Sequence, residues 1–227
     1  MGREAGEARD QRPSFLDRLG DEERRALLAR EVRRFKAGAT LTHEGAAAAE
    51  VMILVSGRVK VTADTADGRE IVLQFCGPGE LIGELAVLDR GARSGTTEAL
   101  EPVEVVAIPA AEFRALLTRP DVATALIASL IMRFRDLDGR FIQFAAAQTR
   151  GRVAARIAEL VERFGDPVED GIEISLPITQ EELAGWTASS REAVAKALAA
   201  LRAMGAIRTE RRRITVLDLE ALRSAAY

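Results

Sequence analysis

Ile127, Leu130, Phe134, Leu137, Phe141 and Phe144 step along the chain by 3, 4, 3, 4 and 3 residues. Apolar residues at that spacing fall on one face of an α-helix, as the a and d positions of a heptad. A strand cannot use the pattern, because strand side chains alternate with period two. The spacing predicts a helix from about Asp121 to Ala147 carrying an apolar seam. Two arrangements bury such a seam. It packs against a second copy of itself, or it packs on the chain's own core with Leu126 and Ile131 as a second stripe. Three phenylalanines among six seam positions favour the dimer. Gly139 costs this helix about 1 kcal/mol relative to Ala, and a close approach would account for it.

Upstream of the seam the pattern is different. Residues 1–20 read as a polar arm, followed by a short helix from Asp21 to Ala29. From Glu31 onward apolar residues come in short runs punctuated by glycine. Arg58 to Thr62 alternates with period two, as a half-buried strand does. Asp67-Gly68 lies between two such runs and signals a hairpin, since Gly takes the positive φ a tight turn needs. Thr96–Leu100 and Val103–Ile108 read as a further strand pair. Many short strands at regular spacing predict a small β-barrel or jelly roll. Pro109-Ala-Ala-Glu-Phe-Arg then opens a helix.

Downstream, Val153, Ile157, Leu160 and Val161 recur at helical spacing. Asp166 to Gly171 reads as a loop, and Ile172–Leu176 as a strand. Thr179 with Glu182 three residues on forms a capping box. Gln180 follows the cap on the first exposed turn. Thr187-Ala-Ser-Ser breaks the helix, and Ser190 caps a second one with Ala193, Val194, Ala197, Leu198 and Leu201 on one face. Ile207–Ile214 reads as a hairpin wing. This is a helix-turn-helix with a wing. The organisation predicted is residues 1–120 as a β-roll with an N-terminal helix, 121–147 as a dimerisation helix, and 148–227 as a winged helix-turn-helix. The fold class is α+β.

Composition narrows the function. The 227 residues are 48% hydrophobic and 30% charged, with net charge −3. That is a soluble globular balance. The longest largely apolar run, Val122–Met132, is shorter than the roughly 20 residues of a membrane span, and no membrane partner is expected. The charged N-terminus lacks a signal-peptide core. One cysteine, Cys76, cannot form an internal disulfide, which fits a cytoplasmic protein. The chain has one His and offers no metal-ligand cluster, no G-x-S-x-G and no Walker motif, so neither an enzyme nor a metal protein is expected. Cys76 in an apolar strand reads as a buried structural thiol, and His43 as a surface residue.

Charge is unevenly spread. Ser190 to Arg213 holds seven Lys+Arg against two Glu, a local +5. Arg191 can donate twice to a guanine edge, and Glu192 can accept from cytosine. Lys196, Arg211 and Arg212 suit phosphates, which position a protein without specifying sequence. A second dense stretch is Gly83-Glu84-Leu85-Ala86 with Arg93-Ser94. Arg93 can pair with a phosphate in fork geometry, Ser94 can add a hydroxyl, and Glu84 can accept from a ribose hydroxyl. The plainer alternative is a Glu84–Arg93 salt bridge in a surface loop.

A β-rich domain, the Gly83–Ser94 cassette, the heptad helix and the winged pair beginning Thr179-Gln-Glu-Glu-Leu-Ala and Ser190-Arg-Glu-Ala-Val, in that order, resemble the CRP/FNR family of bacterial transcription regulators. The likeness covers roughly residues 20–220. It implies a homodimer on palindromic double-stranded DNA with TGTGA-like half-sites, and RNA polymerase as a partner. It implies that Glu84 holds a ribose, and that Arg93 and Ser94 hold the phosphate of a cyclic nucleotide, cAMP or cGMP. No tightly bound cofactor is implied. Leu137 and Asp138 stand where the family's adenine-contacting Thr-Ser pair falls. Leu137 cannot hydrogen-bond a base, whereas Asp138 can accept from one. The alternative is a regulator of the same fold whose pocket is vestigial, filled by Leu137 and Phe141.

Overall fold

The computed structural model describes residues 13–226 apart from Asp67, Ser175 and Arg211. The N-terminal part holds eight described strands: β1 (Val32–Phe35), β2 (Thr40–Thr42), β3 (Glu50–Ser56), β4 (Val59–Asp64), β5 (Glu70–Cys76), β6 (Leu81–Ile82), β7 (Thr96–Ala99) and β8 (Val103–Pro109). They form two four-stranded antiparallel sheets, ordered β1-β8-β3-β6 and β2-β7-β4-β5. Met52, Leu54, Val59, Cys76 and Val105 fill the space between them and are all at most 1% exposed. The expected roll is therefore present. Gly68 has φ +77 at the β4–β5 hairpin, while its neighbour Asp67 lies outside the described residues.

The expected pairing of 96–100 with 103–108 is corrected. β7 pairs with β2 and β4, whereas β8 pairs with β1 and β3. The link through Glu101 and Pro102 crosses from one sheet to the other, so two strands adjacent in sequence face each other across the core.

Four helices flank the roll: α1 (Asp21–Leu28), α2 (Glu84–Leu88), α3 (Ala110–Leu116) and the long α4 (Pro120–Ala146). Pro120 opens α4, where its missing N–H is one of the unpaired donors in any case. The two faces of α4 differ. Val122, Ala125 and Leu126 are buried against the roll in one cluster with Phe15, Val51 and Phe113. Ile127, Phe134, Leu137, Phe141 and Phe144 are 56–74% exposed. Leu130 departs from the expected seam: it is half-buried and packs on the roll's cluster. Ile131, offered as part of an inward stripe, is 47% exposed. A Cβ at Gly139 would meet nothing within 4 Å, so no approach within this chain requires glycine there.

The C-terminal part comprises α5 (Thr149–Phe164), β9 (Gly165–Val168), β10 (Gly171–Ile174), α6 (Gln180–Thr187), α7 (Arg191–Ala203), β11 (Ile207–Glu210), β12 (Arg213–Val216) and α8 (Leu219–Ser224). Its sheet runs β11-β12-β10-β9. The 166–171 segment, expected as a loop, contributes the strand β9. Pro167 sits opposite Ile172 in it. An edge strand tolerates proline, because the missing donor can face away from the ladder. Ser175, expected at the end of β10, lies outside the described residues.

Candidate effector and DNA-binding sites

Gly83 precedes α2 with φ +79, a conformation open to glycine without strain. A Cβ there would stand 1.4 Å from Arg93 Nη1. Glycine thus makes room for the guanidinium, which donates to the Gly83 carbonyl at 2.8 Å and to the Glu50 carbonyl at 2.5 Å. Arg93 is 6% exposed. Burial pulls its pKa below the ordinary arginine value, against the opposing fields of Glu50 and Glu84.

Glu84 is 1% exposed, and its Oε1 is engaged by Arg133 of α4. Arg133 also donates to the Leu81 carbonyl at 3.0 Å. Burial works against the Arg133 charge, but Glu84, Cys76 and Glu80 together hold its pKa above the ordinary value. The alternative offered for this stretch, a Glu84–Arg93 salt bridge, is not the arrangement found. Each residue is held by another partner.

A cavity of about 990 Å³ lies in front of this group. Leu85 and Ser94 of the cassette line it, together with Leu137, Arg133, Phe134 and Arg140 of α4. Gly83, Glu84, Ala86 and Arg93 lie outside its lining, and Ala86 is buried in the roll. Asp138 is exposed and outside the lining of its own chain's cavity. Sequence reasoning missed Arg133. The signal was available: Leu126, Leu130 and Arg133 fall on the same helical face, and a cation facing the chain's own core needs a partner.

In the C-terminal part the capping box forms. Thr179 N–H donates to Glu182 Oε2 at 2.7 Å, and Glu182 N–H donates to Thr179 Oγ1 at 3.1 Å. Gln180 is exposed on the first turn of α6. Ala188 ends α6 with φ 47 and ψ 50, the left-handed region. Ser190 Oγ accepts from Ala193 N–H at 3.2 Å and starts α7. Val194, Ala197, Leu198 and Leu201 face the core, while Ser190, Arg191, Glu192 and Lys196 are exposed. Glu192 is held below the usual carboxylate range by its backbone amide and then by the Ser190 hydroxyl. It therefore remains an acceptor at neutral pH.

The wing turns at Arg212, which is exposed at φ 59. Arg211 lies outside the described residues. Arg208 donates to Asp170, and Arg213 stands 3.4 Å from Glu173.

Arg152 was also missed. It donates to the Thr187 carbonyl at 3.0 Å, the Ala147 carbonyl at 2.8 Å and Ser189 Oγ at 3.1 Å. It thereby ties the end of α4 to the α6–α7 turn. Cys76 is buried, and burial, reinforced by Glu80, pushes its thiol up to about 12. His43 is exposed. No group of three or more metal-ligating side chains occurs among the described residues. No single described helix is long and apolar enough to cross a membrane.

Residues 32–119 match the cyclic nucleotide-binding domain family, and residues 151–225 match the Crp-like helix-turn-helix domain family. The chain is 32% identical over 189 residues to a CRP-like cAMP-activated global transcriptional regulator of Mycobacterium tuberculosis, spanning 83% of this chain and 84% of that one. It is 30% identical over 216 residues to the cyclic AMP receptor protein of Thermus thermophilus, spanning 95% and 97% of the two chains. The crystal structure of a CRP-family transcriptional regulator from Thermus thermophilus superposes with a TM-score of 0.72 at 30% identity, covering 86% of this chain and 96% of that one. With the roll, the long helix and the winged head in their expected order, these matches place the chain in the CRP/FNR family of transcription regulators.

Proposed function

We propose that this regulator works as a homodimer that binds palindromic double-stranded DNA under the control of a cyclic nucleotide held in the roll. The observation that carries the DNA reading is the division of α7. One face is sealed into the head, and the other presents Arg191, Glu192 and Lys196 to solvent directly after the Ser190 cap. Arg191 and Glu192 suit base edges in TGTGA-like half-sites. Lys196, Arg211 and Arg212 suit phosphates, with Thr179 and Gln180 at the start of α6 beside them. The exposed seam Ile127, Phe134, Leu137, Phe141 and Phe144 supports the dimer. Contiguous apolar surface on that scale marks an interaction site. A two-fold pair of heads fits half-sites about one DNA turn apart.

The effector is cAMP or cGMP. Ser94, Leu85 and Leu137 line the cavity, and Gly83, Glu84, Ala86 and Arg93, outside the lining, flank Leu85 and Ser94 in the chain. Asp138, exposed beside the seam, is the acceptor assigned to the base in this reading. RNA polymerase as a partner and a cytoplasmic setting belong to the same proposal. The division proposed is residues 1–120, 121–147 and 148–227, with α4 at Pro120–Ala146 as the middle part.

Calorimetric titration with cAMP and with cGMP, each repeated on Arg93→Ala, tests the ligand. Selection of bound sequences from a random duplex pool tests the DNA reading. A palindrome enriched by the wild type and lost in Arg191→Ala is the expected result. A second reading has its own support. Arg133 already neutralises Glu84, and two carbonyls already satisfy Arg93. A regulator needing no nucleotide would bind its operator equally with and without either one.

A further inference from the structure

Two barrel residues do not belong to the barrel's core. Val72 and Phe75 of β5 are 3% and 1% exposed, and both lie in the buried cluster of the C-terminal head. The register explains how. Val61 pairs with Gln74 while Thr62 pairs with Val72, so Leu73 is an extra residue in β5. A bulge of this kind breaks the two-residue alternation and re-aims side chains. Val72 and Phe75 then both face the head.

The head meets that strand closely. A Cβ at Gly185 of α6 would come 2.8 Å from the Glu70 carbonyl oxygen. Phe75 meets Trp186 edge to face, with ring centroids 4.8 Å apart. Arg140 of α4 and Arg156 of α5 each stand 5.4 Å from the centroid of the same indole. Lys60 of β4 lies 3.2 Å from Glu182 Oε1, with the two side chains 10% and 12% exposed. Arg163 of α5 donates to the Phe75 carbonyl at 2.8 Å.

The bulge has a second role. Leu73 lines the effector cavity, and its carbonyl accepts from Arg140. Arg140 lines the same cavity and also meets Glu159 at 3.1 Å. Leu73 and Arg140 thus belong at once to the cavity and to the seat of Trp186.

We propose that Trp186 is a latch holding the DNA-reading head on β5, and that Arg140 makes cavity occupancy and head docking alternatives. This rests on the cyclic-nucleotide reading above. With the head docked, the Arg140 guanidinium is committed to Leu73, Glu159 and Trp186. With the head released, it loses Glu159 and Trp186 and can turn to an anionic ligand. A ligand shifts an equilibrium only by its differential contacts with the two states, and Arg140 supplies that difference. The linkage is reciprocal: a released head binds nucleotide more tightly, and nucleotide releases the head.

Trp186 is the chain's only tryptophan, so its emission and its quenching by acrylamide report the latch directly. The test compares the full-length wild type with Gly185→Ala, which alters neither the cavity nor the exposed face of α7. Alanine strengthens α6 itself, so a loosened head would not come from a weakened helix. Lys60→Gln, which removes the ion pair to Glu182 and leaves the Gly185 backbone as it is, is the second variant. Quenching several-fold stronger in both variants is expected, with unchanged helical circular dichroism. Titration with cAMP or cGMP is expected to raise quenching in the wild type. Nucleotide affinity measured by calorimetry is expected to be roughly fivefold tighter in Gly185→Ala. Folded variants quenched like the wild type would overturn the latch. Nucleotide binding that leaves both quenching and variant affinity unchanged would overturn the coupling. No calorimetric binding of either nucleotide overturns the ligand reading and the coupling with it, and the latch then stands or falls on the quenching of the two variants.

Discussion

Glu84 in α2 and Arg133 in α4 form an ion pair across the wall of the roll, with the carboxylate side chain only 2% exposed. The pair joins the cassette to the long helix. Removing one partner of a buried pair leaves an uncompensated charge, which costs about 3–5 kcal/mol. Arg133→Ala should therefore lower the urea midpoint sharply. Glu84→Gln with Arg133→Met together should recover much of the loss, because no buried charge is then left unpaired. A double-mutant cycle by urea unfolding measures both effects. Additive losses would show that the two residues do not interact.

Phe141 is 74% exposed on α4, and Phe134 is 64% exposed. Neither contributes core packing to its own chain at that exposure. Phe141→Glu should convert a dimer to a monomer while leaving the monomer's fold intact. Sedimentation at micromolar concentration gives the mass, and circular dichroism checks the fold. A monomeric wild type would remove the dimer from the reading.

The α6–α7 turn carries a measurable strain. Ala188 holds φ 47 and ψ 50, where a Cβ costs roughly 1–2 kcal/mol and glycine costs little. Ala188→Gly should raise stability by about 1 kcal/mol, less the entropy glycine adds to the unfolded chain. Thermal unfolding checks the sign. A lower melting temperature would mean that the alanine methyl makes packing contacts worth more than the strain.

Arg212 sits at the tip of the wing, exposed at φ 59. A phosphate contact there lowers affinity uniformly across sequences when lost and reduces the salt slope by about 1. Arg212→Gln should show both effects in filter-binding titrations from low to moderate salt. Arg191→Ala should instead relax base preference at one operator position.

The features legible in the sequence are those whose physics is local. Thr179 with Glu182, Ser190 and Gly68 each declare a cap or a turn within four residues. The 3-4-3 spacing on α4 declares a helix whatever surrounds it. What was not legible depends on residues far apart in the chain. Thr96–Ala99 and Val103–Pro109 look like a hairpin because a short link joins them, yet each finds its partners in a different sheet. The bulge at Leu73 decides that Val72 and Phe75 face the head, and no alternation count reveals a bulge. Leu130 fits the heptad but faces the roll, because α4 must bury a second stripe. The cassette was legible as a set of residues, whereas their partners were not. Arg93 reaches the carbonyl of Glu50, and Glu84 reaches Arg133, across 43 and 49 positions.

Cys76 ends β5 at 1% exposure, between the two sheets. Burial is the main cause that pushes its thiol up to about 12, Glu80 adds to it, and Arg133 and Arg163 oppose it. The thiolate is the reactive form, so the folded protein should resist disulfide reagents at pH 8 and react only as fast as it unfolds. The linkage has a definite sign. An unfolded thiol releases its proton above about pH 8.5, while the folded one keeps it. The contribution of Cys76 to stability is therefore fully present below that value and falls as pH rises toward its folded pKa, by about 1.4 kcal/mol per pH unit. Urea unfolding at pH 7.5 and pH 10 should show a larger loss for the wild type than for Cys76→Ala, by about 2 kcal/mol. The comparison removes the lysines and tyrosine common to both proteins. Equal losses, or rapid labelling of the folded protein, would place the thiol in contact with water.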